Sequence, residues 1–245
     1  MMKDVVTLVP IYKAELNLLE MYSLNYSLDA LKGRTVIFIG PKNLDRSYYL
    51  EHYSAIPFEA FDAPCFESVE EYNRLLLSPS FYERYSDYEF ILILQTDAII
   101  LRDELDYWCA QPFDYIGAPW PEGYELFVNL GLFEGEYGKH VKVAVGNGGL
   151  SLRRNRKCIS LLKEFEIAIS VFASTGSSED LFFSVMASLS GDFIVPNEIT
   201  ASRFSLELSP SYYFHVNGGR MPMGGHAWWR HEPEFWQAYL RETLL

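Results

Sequence analysis

The sequence predicts an α/β fold with a mostly parallel central sheet flanked by helices, on three observations. Residues 5–9 (VVTLV), 14–31 and 35–39 (TVIFI) read as strand, amphipathic helix and strand, a βαβ unit. Residues 90–94 (FILIL) are apolar on both faces, as the centre of a covered parallel sheet requires. Helical segments then return at residues 157–171 and 181–189.

Each element has its own signal. The first strand stops at Pro10 and the second at Gly40-Pro41. Between them Leu16, Leu19, Met21, Leu24, Leu28 and Leu31 recur at helical spacings. Residues 58–61 suggest a third strand and residues 69–77 a helix. The apolar strand at 90–94 ends in Gln95-Thr96-Asp97. Residues 114–120 (DYIGAPW) read as a strand, 121–140 as a long loop, and 141–154 as alternating apolar and small residues around Gly146-Asn147-Gly148-Gly149. A late strand is expected at 193–195 and a capping helix at 233–245. No repeat or disordered linker interrupts this order, so one domain spanning 1–245 is expected.

Composition narrows the class. The 245 residues are 49% hydrophobic and 16% aromatic, which predicts a packed core rather than disorder. With 33 acidic and 20 basic side chains the net charge is −13, and no Lys/Arg block is present, which argues against nucleic-acid binding. No apolar run approaches the roughly 20 residues that cross a bilayer, and no secretory signal pattern is seen. Cys65, Cys109 and Cys158 are widely spaced and form no CxxC pair, which suits a reducing cytosol.

Four places carry chemistry. Asp97, just beyond a buried strand, is held at the mouth of the sheet, where it can share a metal with a diphosphate or meet a ribose, with Gln95 beside it; it reads equally as a turn former. Gly146-Asn147-Gly148-Gly149 lets the backbone approach a ligand, or forms a tight hairpin. Ser178-Glu179-Asp180 opens a helix, its acids serving either as dipole partners or as a general base. His226, between a glycine pair and Trp228-Trp229, is poor core material and suits metal ligation or ligand contact. Lys13, Lys42, Arg74 and Arg153 are the cations placed to meet phosphate, and Trp120, Trp228 and Trp229 offer surfaces for sugar rings.

Taken in order, Pro10-Ile11-Tyr12, Gln95-Thr96-Asp97, Gly146-Asn147-Gly148-Gly149 with Ser151-Leu152-Arg153, Glu179-Asp180 and Gly225-His226-Ala227-Trp228 resemble the GT-A glycosyltransferases. The likeness is strongest to a small bacterial and fungal group, formerly a domain of unknown function. It extends from Thr7 to about Trp236, and Tyr72-Asn73-Arg74, Asp106-Tyr107-Trp108 and Asp114-Tyr115-Ile116-Gly117-Ala118-Pro119-Trp120 look like that group's signature.

The resemblance implies a GT-A-like fold with a nucleotide-sugar half at 1–110 and an acceptor-side half at 111–245. Pro10, Ile11, Tyr12, Lys13, Gly40, Arg74, Gln95 and Asp97 would hold the nucleotide sugar, a UDP-sugar by default. Asn147, Gly148, Gly149, Trp120 and Trp228 would meet substrate. Asp97 and His226 would ligate Mn²⁺ or Mg²⁺, with Mn²⁺ favoured because it tolerates an imidazole. Asp180 would be the base and Glu179 its alternative, with inversion at the sugar. One departure stands out: the expected Asp-x-Asp reads Asp97-Ala98-Ile99, so the second carboxylate is missing. The expected reaction is hexosyl transfer to a glycan or glycolipid acceptor in polysaccharide or glycoconjugate synthesis. The expected location is cytoplasmic, with at most peripheral contact with the inner membrane face. The alternatives are a non-catalytic carbohydrate- or nucleotide-binding module of the same fold, and a nucleotidyltransferase. The latter lacks its Gly-rich, basic loop after the first strand.

Overall fold

The computed structural model describes residues 3–129 and 138–240. The chain opens with β1 (Lys3–Pro10), α1 (Leu18–Ala30), β2 (Val36–Pro41), α2 (Ser47–His52) and β3 (Phe58–Phe61). A 3-10 turn (Ala63–Phe66), α3 (Val69–Leu76) and α4 (Pro79–Glu83) lead into β4 (Tyr88–Leu94), β5 (Ala98–Ile100) and α5 (Leu105–Cys109). Then come β6 (Tyr115–Ile116), β7 (Pro119–Asn129), β8 (Gly138–Val145) and β9 (Leu150–Arg154). The remainder is α6 (Asn155–Glu164), α7 (Glu166–Thr175), α8 (Glu179–Ala187), α9 (Glu198–Phe204), β10 (Ser205–Leu206), α10 (Pro210–Val216), β11 (Gly224–His226) and α11 (Pro233–Gln237).

The main sheet runs β3-β2-β1-β4-β9-β6. Its first four strands are parallel, and β9 lies antiparallel between β4 and β6. The chain leaves β1 for β2 on one side and returns to β4 on the other. The carboxyl ends of β1 and β4 therefore flank the switch point, where open α/β sheets bind ligands. Side chains alternate between two cores. Val6, Leu8, Ile91 and Ile93 meet α4, α6 and α8 on one face. Val5, Val9, Leu92 and Leu94 meet Leu24 and Leu31 on the other. Burying each such side chain contributes roughly 1.5–3 kcal/mol.

Several expected boundaries move, each for a local reason. The helix expected from residue 14 starts at Leu18, because Asn17 caps it in a reciprocal box with Glu20. The loop expected at 121–140 is a β7–β8 hairpin, paired from Tyr124↔Val143 to Asn129↔Gly138; residues 130–137 lie outside the described residues. An irregularity between Pro119 and Tyr124 absorbs Pro121 and Gly123, the residues that disguise the strand. The segment 141–154 is no hairpin, since β8 pairs with β7 while β9 joins the main sheet. The strand expected at 114–120 is divided between β6 and β7, and 193–195 forms no strand. Instead the Asp114 N–H donates to the Ile194 carbonyl (2.8 Å), and Ile194 N–H donates to the Asp114 carboxylate (2.9 Å). The helix expected at 157–171 breaks into α6 and α7 at Phe165. Of the tail helix, Pro233–Gln237 is present and 241–245 lies outside the described residues.

Candidate active site

A cavity of about 580 Å³ opens at the switch point. Pro10, Tyr12 and Lys13 line it from the end of β1, and Gln95, Thr96 and Asp97 from the end of β4. The Lys13 ammonium pairs with the buried Glu20 carboxylate at 2.6 Å, and the Thr96 hydroxyl donates to the same oxygen at 3.2 Å. Burial opposes the Lys13 charge, but Glu20 outweighs it and holds the ammonium above its ordinary range.

Strand pairing brings the next two residues together. β5 lies antiparallel to β11, so Ala98 faces His226, and the Ala227 N–H donates to the Asp97 carbonyl at 2.9 Å. His226 Nε2 then lies 3.1 Å from Asp97 Oδ1, while Nδ1 is 2.8 Å from Glu207 Oε2. Arg230 approaches the other Asp97 oxygen at 3.6 Å. Burial alone would lower the imidazole, but hydrogen bonds to Asp97 and Glu207 prevail and push it up to about 10. Asp97 in turn is held below its usual range: burial raises it, and His226 and Arg230 more than offset this.

The fourth wall joins the glycine segment to α8. Gly148 N–H donates to Asp180 Oδ2 at 3.1 Å, and Leu181 N–H to Asp180 Oδ1 at 2.7 Å. Glu179 is buried, and its Oε1 accepts from the Arg153 guanidinium at 2.8 Å. Burial raises the Glu179 carboxyl, with Arg153 acting against that rise. Arg153 itself is fully buried, donating also to Ser151 Oγ (3.0 Å) and Tyr82 OH (3.0 Å). Glycine is required at 149, where a Cβ would sit 2.3 Å from His226 Nε2. Asn147 adopts φ 42°, the left-handed region that asparagine tolerates.

Of the residues expected from sequence, Pro10, Tyr12, Lys13, Gln95, Asp97, Asn147, Gly148, Gly149, Glu179, Asp180 and His226 all line this cavity. Others do not. Ile11 packs in the core and its N–H bonds to Ile39. Gly40 lies against the Ile11 carbonyl, where a Cβ would come within 2.3 Å, so it serves strand packing. Arg74 points to a different, exposed groove with Lys42 and pairs with Glu71. Arg153 faces the core rather than phosphate. Trp120 is buried, its indole N–H donating to Asn147 Oδ1 at 2.9 Å. Trp228 is buried and donates to Ser23 Oγ at 2.8 Å. Trp228→Phe is therefore expected to cost about 1–2 kcal/mol through the orphaned buried hydroxyl, measured by thermal melting, while ligand affinity stays unchanged.

At Asp97-Ala98-Ile99 the strand end offers the cavity a single carboxylate. Ile99 is fully buried opposite Gly225, and the residue that shares the cavity with Asp97 two positions away is Gln95. Sequence reading missed Glu20, Glu207 and Arg230. Glu20 sits three residues after a cap residue and reads as ordinary capping. Glu207 and Arg230 become neighbours of Asp97 and His226 only through the β10-β11-β5 sheet.

The fold is that of the GT-A glycosyltransferases. An active-site mutant of LgtC superposes with a TM-score of 0.54 at 14% identity, over 90% of this chain and 86% of that one. Mouse xyloside xylosyltransferase 1 in its apo form gives 0.54 at 11% identity, over 91% and 97%. No curated protein sequence matches. Residues 55–226 match the family described as Protein of unknown function (DUF5672), and the chain belongs to that family.

This fold type implies a divalent metal. Among the described residues no group of three His, Cys, Asp or Glu is arranged to hold one. Asp97 and His226 would supply two ligands only once the imidazole gives up its Nε2 proton: one carboxylate oxygen and Nε2 lie side by side, and the Glu207 carboxylate on Nδ1 fixes the ring. The remaining ligands would come from the substrate and water. No helix among the described residues is long and apolar enough to cross a membrane.

Proposed function

We propose that the protein is a glycosyltransferase that moves a sugar from a nucleoside diphosphate sugar, UDP-linked in the first instance, to a hydroxyl of a glycan or glycolipid acceptor. The observation that carries this reading is one cavity at the β1/β4 switch point with cations on one side and an acid pair on the other. Lys13 and Arg230 would receive the diphosphate. They are outnumbered by Glu20, Glu67, Asp97, Glu179 and Asp180 around the same cavity, so a polyanion enters favourably only with a counter-cation. Asp97 and His226 would hold that cation, Mn²⁺ or Mg²⁺, which supplies charge neutralisation for the departing diphosphate.

Asp180 is positioned as general base. Backbone N–H groups of Gly148 and Leu181 fix its carboxylate at the cavity edge. In the reaction the acceptor oxygen bonds to the anomeric carbon as its proton passes to Asp180 and the bond to the diphosphate oxygen breaks. One carboxylate acting this way gives inversion. Glu179, tied to Arg153, is the alternative base.

The test is a panel of nucleotide sugars with and without Mn²⁺, reading released nucleoside diphosphate and the coupling constant of the new anomeric proton. Asp180→Asn should lower turnover by about 10²–10⁴-fold with donor affinity retained. Asp97→Ala should abolish metal dependence and weaken donor binding. Unchanged turnover in the first variant would remove Asp180 from the mechanism. Binding without turnover across the panel would favour the non-catalytic module.

A further inference from the structure

A second, more open groove of about 760 Å³ has α3 as one wall, as the first cavity does. Val69, Tyr72 and Asn73 line the first, and Glu71, Arg74 and Leu75 the second. The two differ in charge. Acids outnumber cations around the first, whereas the second is lined by Lys42, Arg74 and Arg84 against Asp62 and Glu71. In a chain of net charge −13, an anion approaches this groove with less repulsion than it meets at the first cavity.

Three elements supply the cations: Lys42 follows β2, Arg74 is on α3 and Arg84 follows α4. Lys42 and Arg84 meet at Phe61. The Lys42 backbone N–H donates to the Phe61 carbonyl at 2.9 Å, and the Arg84 guanidinium lies 4.1 Å over the Phe61 ring. Arg84 is fixed further by the Ala60 carbonyl at 3.1 Å and by Glu59 at 3.4 Å. A guanidinium already held in place loses little freedom when a carboxylate or phosphate arrives. The other two cations have acids beside them: Lys42 pairs with Asp62 at 3.1 Å, and Arg74 pairs with Glu71. All four of these side chains are a third or more exposed. Pairs of that kind hold little energy, so a ligand anion takes the acid's place at small cost. Leu75 adds apolar surface, and Ser78 and Ser80 add hydroxyls, surroundings that suit a sugar chain better than a bare ion.

We propose that this groove holds the anionic groups of the acceptor chain, carboxylate or phosphate, while a hydroxyl further along the chain reacts in the first cavity. An α-helix is about 10–12 Å across, so a chain of several sugars spans α3 from one to the other. That the chain is the acceptor rests on the glycosyltransferase reading; that the groove takes anions does not.

Calorimetric titrations at low ionic strength would compare tetragalacturonate with its methyl ester, and phosphorylated maltotetraose with maltotetraose. Inorganic phosphate, and UDP in Mn²⁺, would be titrated separately. The expected result is at least about tenfold preference for the charged member of one pair. Preference in the first pair assigns a carboxylate, and preference in the second a phosphate. Lys42→Gln and Arg74→Gln should each weaken the preferred chain about tenfold. UDP affinity and melting temperature should hold in both, since these side chains are exposed and lie outside the first cavity. No preference in either pair, a preference that survives both substitutions, or inorganic phosphate bound as tightly as the chains overturns the proposal and leaves the transferase reading standing. A fall in UDP affinity in either variant overturns it too, because those cations would then serve the first cavity. UDP that fails to bind the parent overturns the transferase reading, and with it the acceptor assignment, whatever the chains do.

Discussion

Replacing Arg153 by Met is expected to destabilise the protein by about 3–5 kcal/mol, because it leaves the Glu179 carboxylate buried without its counter-charge. For a chain of this size that is a fall in melting temperature of about 10 °C. The guanidinium also stands over the Tyr115 and Phe183 rings at 5.2 and 5.5 Å, contacts that Met replaces only in part. The pH dependence gives the loss a signature. In the variant Glu179 keeps the burial that raises its carboxyl and loses the Arg153 charge that lowers it. A carboxyl whose folded value is raised contributes stability below the unfolded value of about 4.3, and that contribution is lost as pH rises through the folded value. The deficit of Arg153→Met should thus be largest near neutrality and shrink on acidification. Melting curves across pH check this, and a pH-independent deficit would assign the loss to packing alone.

Gly149→Ala is expected to have the largest effect on function, cutting metal-dependent turnover by about 10²-fold or more. The added Cβ would lie 2.3 to 2.5 Å from three atoms of the His226 ring. The backbone cannot retreat easily, since the Gly149 carbonyl accepts from Gln95 N–H at 2.9 Å. The ring must therefore leave Asp97. Gly191→Ala, with no heavy atom within 4 Å of the new methyl, is the matched control and should behave as the parent. Turnover as a function of Mn²⁺ concentration measures both. Parent-like metal dependence in Gly149→Ala would show that the imidazole position is unimportant.

Much of the fold is legible in sequence because its central strands are buried on both faces. Residues 90–94 leave no other reading, and Gly40-Pro41 ends the strand before it. The β7–β8 hairpin is hidden because Pro121 and Gly123 imitate loop chemistry while a register irregularity accommodates them. Within the site, Asp97 and the Glu179-Asp180 pair are visible, since both follow from what lies at the end of a strand or the start of a helix. The direction a side chain takes is not. Arg153 and Trp228 look like ligand contacts until the neighbouring Glu179 and Ser23 show that each is satisfied inside the protein. Glu207 has no local sign at all, because its tie to His226 depends on pairing across 19 residues and on the position of β11.

That pairing bears on how the chain becomes competent. All six strands of the main sheet lie within residues 3–154, and α6 and α8, which cover one face of it, follow directly. His226 reaches Asp97 only when β11 pairs with β5, joining Gly224 to Ile100 across a long intervening segment. Bringing such distant segments together costs more closure entropy than the local βαβ contacts and is slow relative to them. The cavity is consequently finished last. On recovery from denaturant, ligand binding is therefore expected to return no earlier than the sheet, and β11 pairing sets the difference between the two.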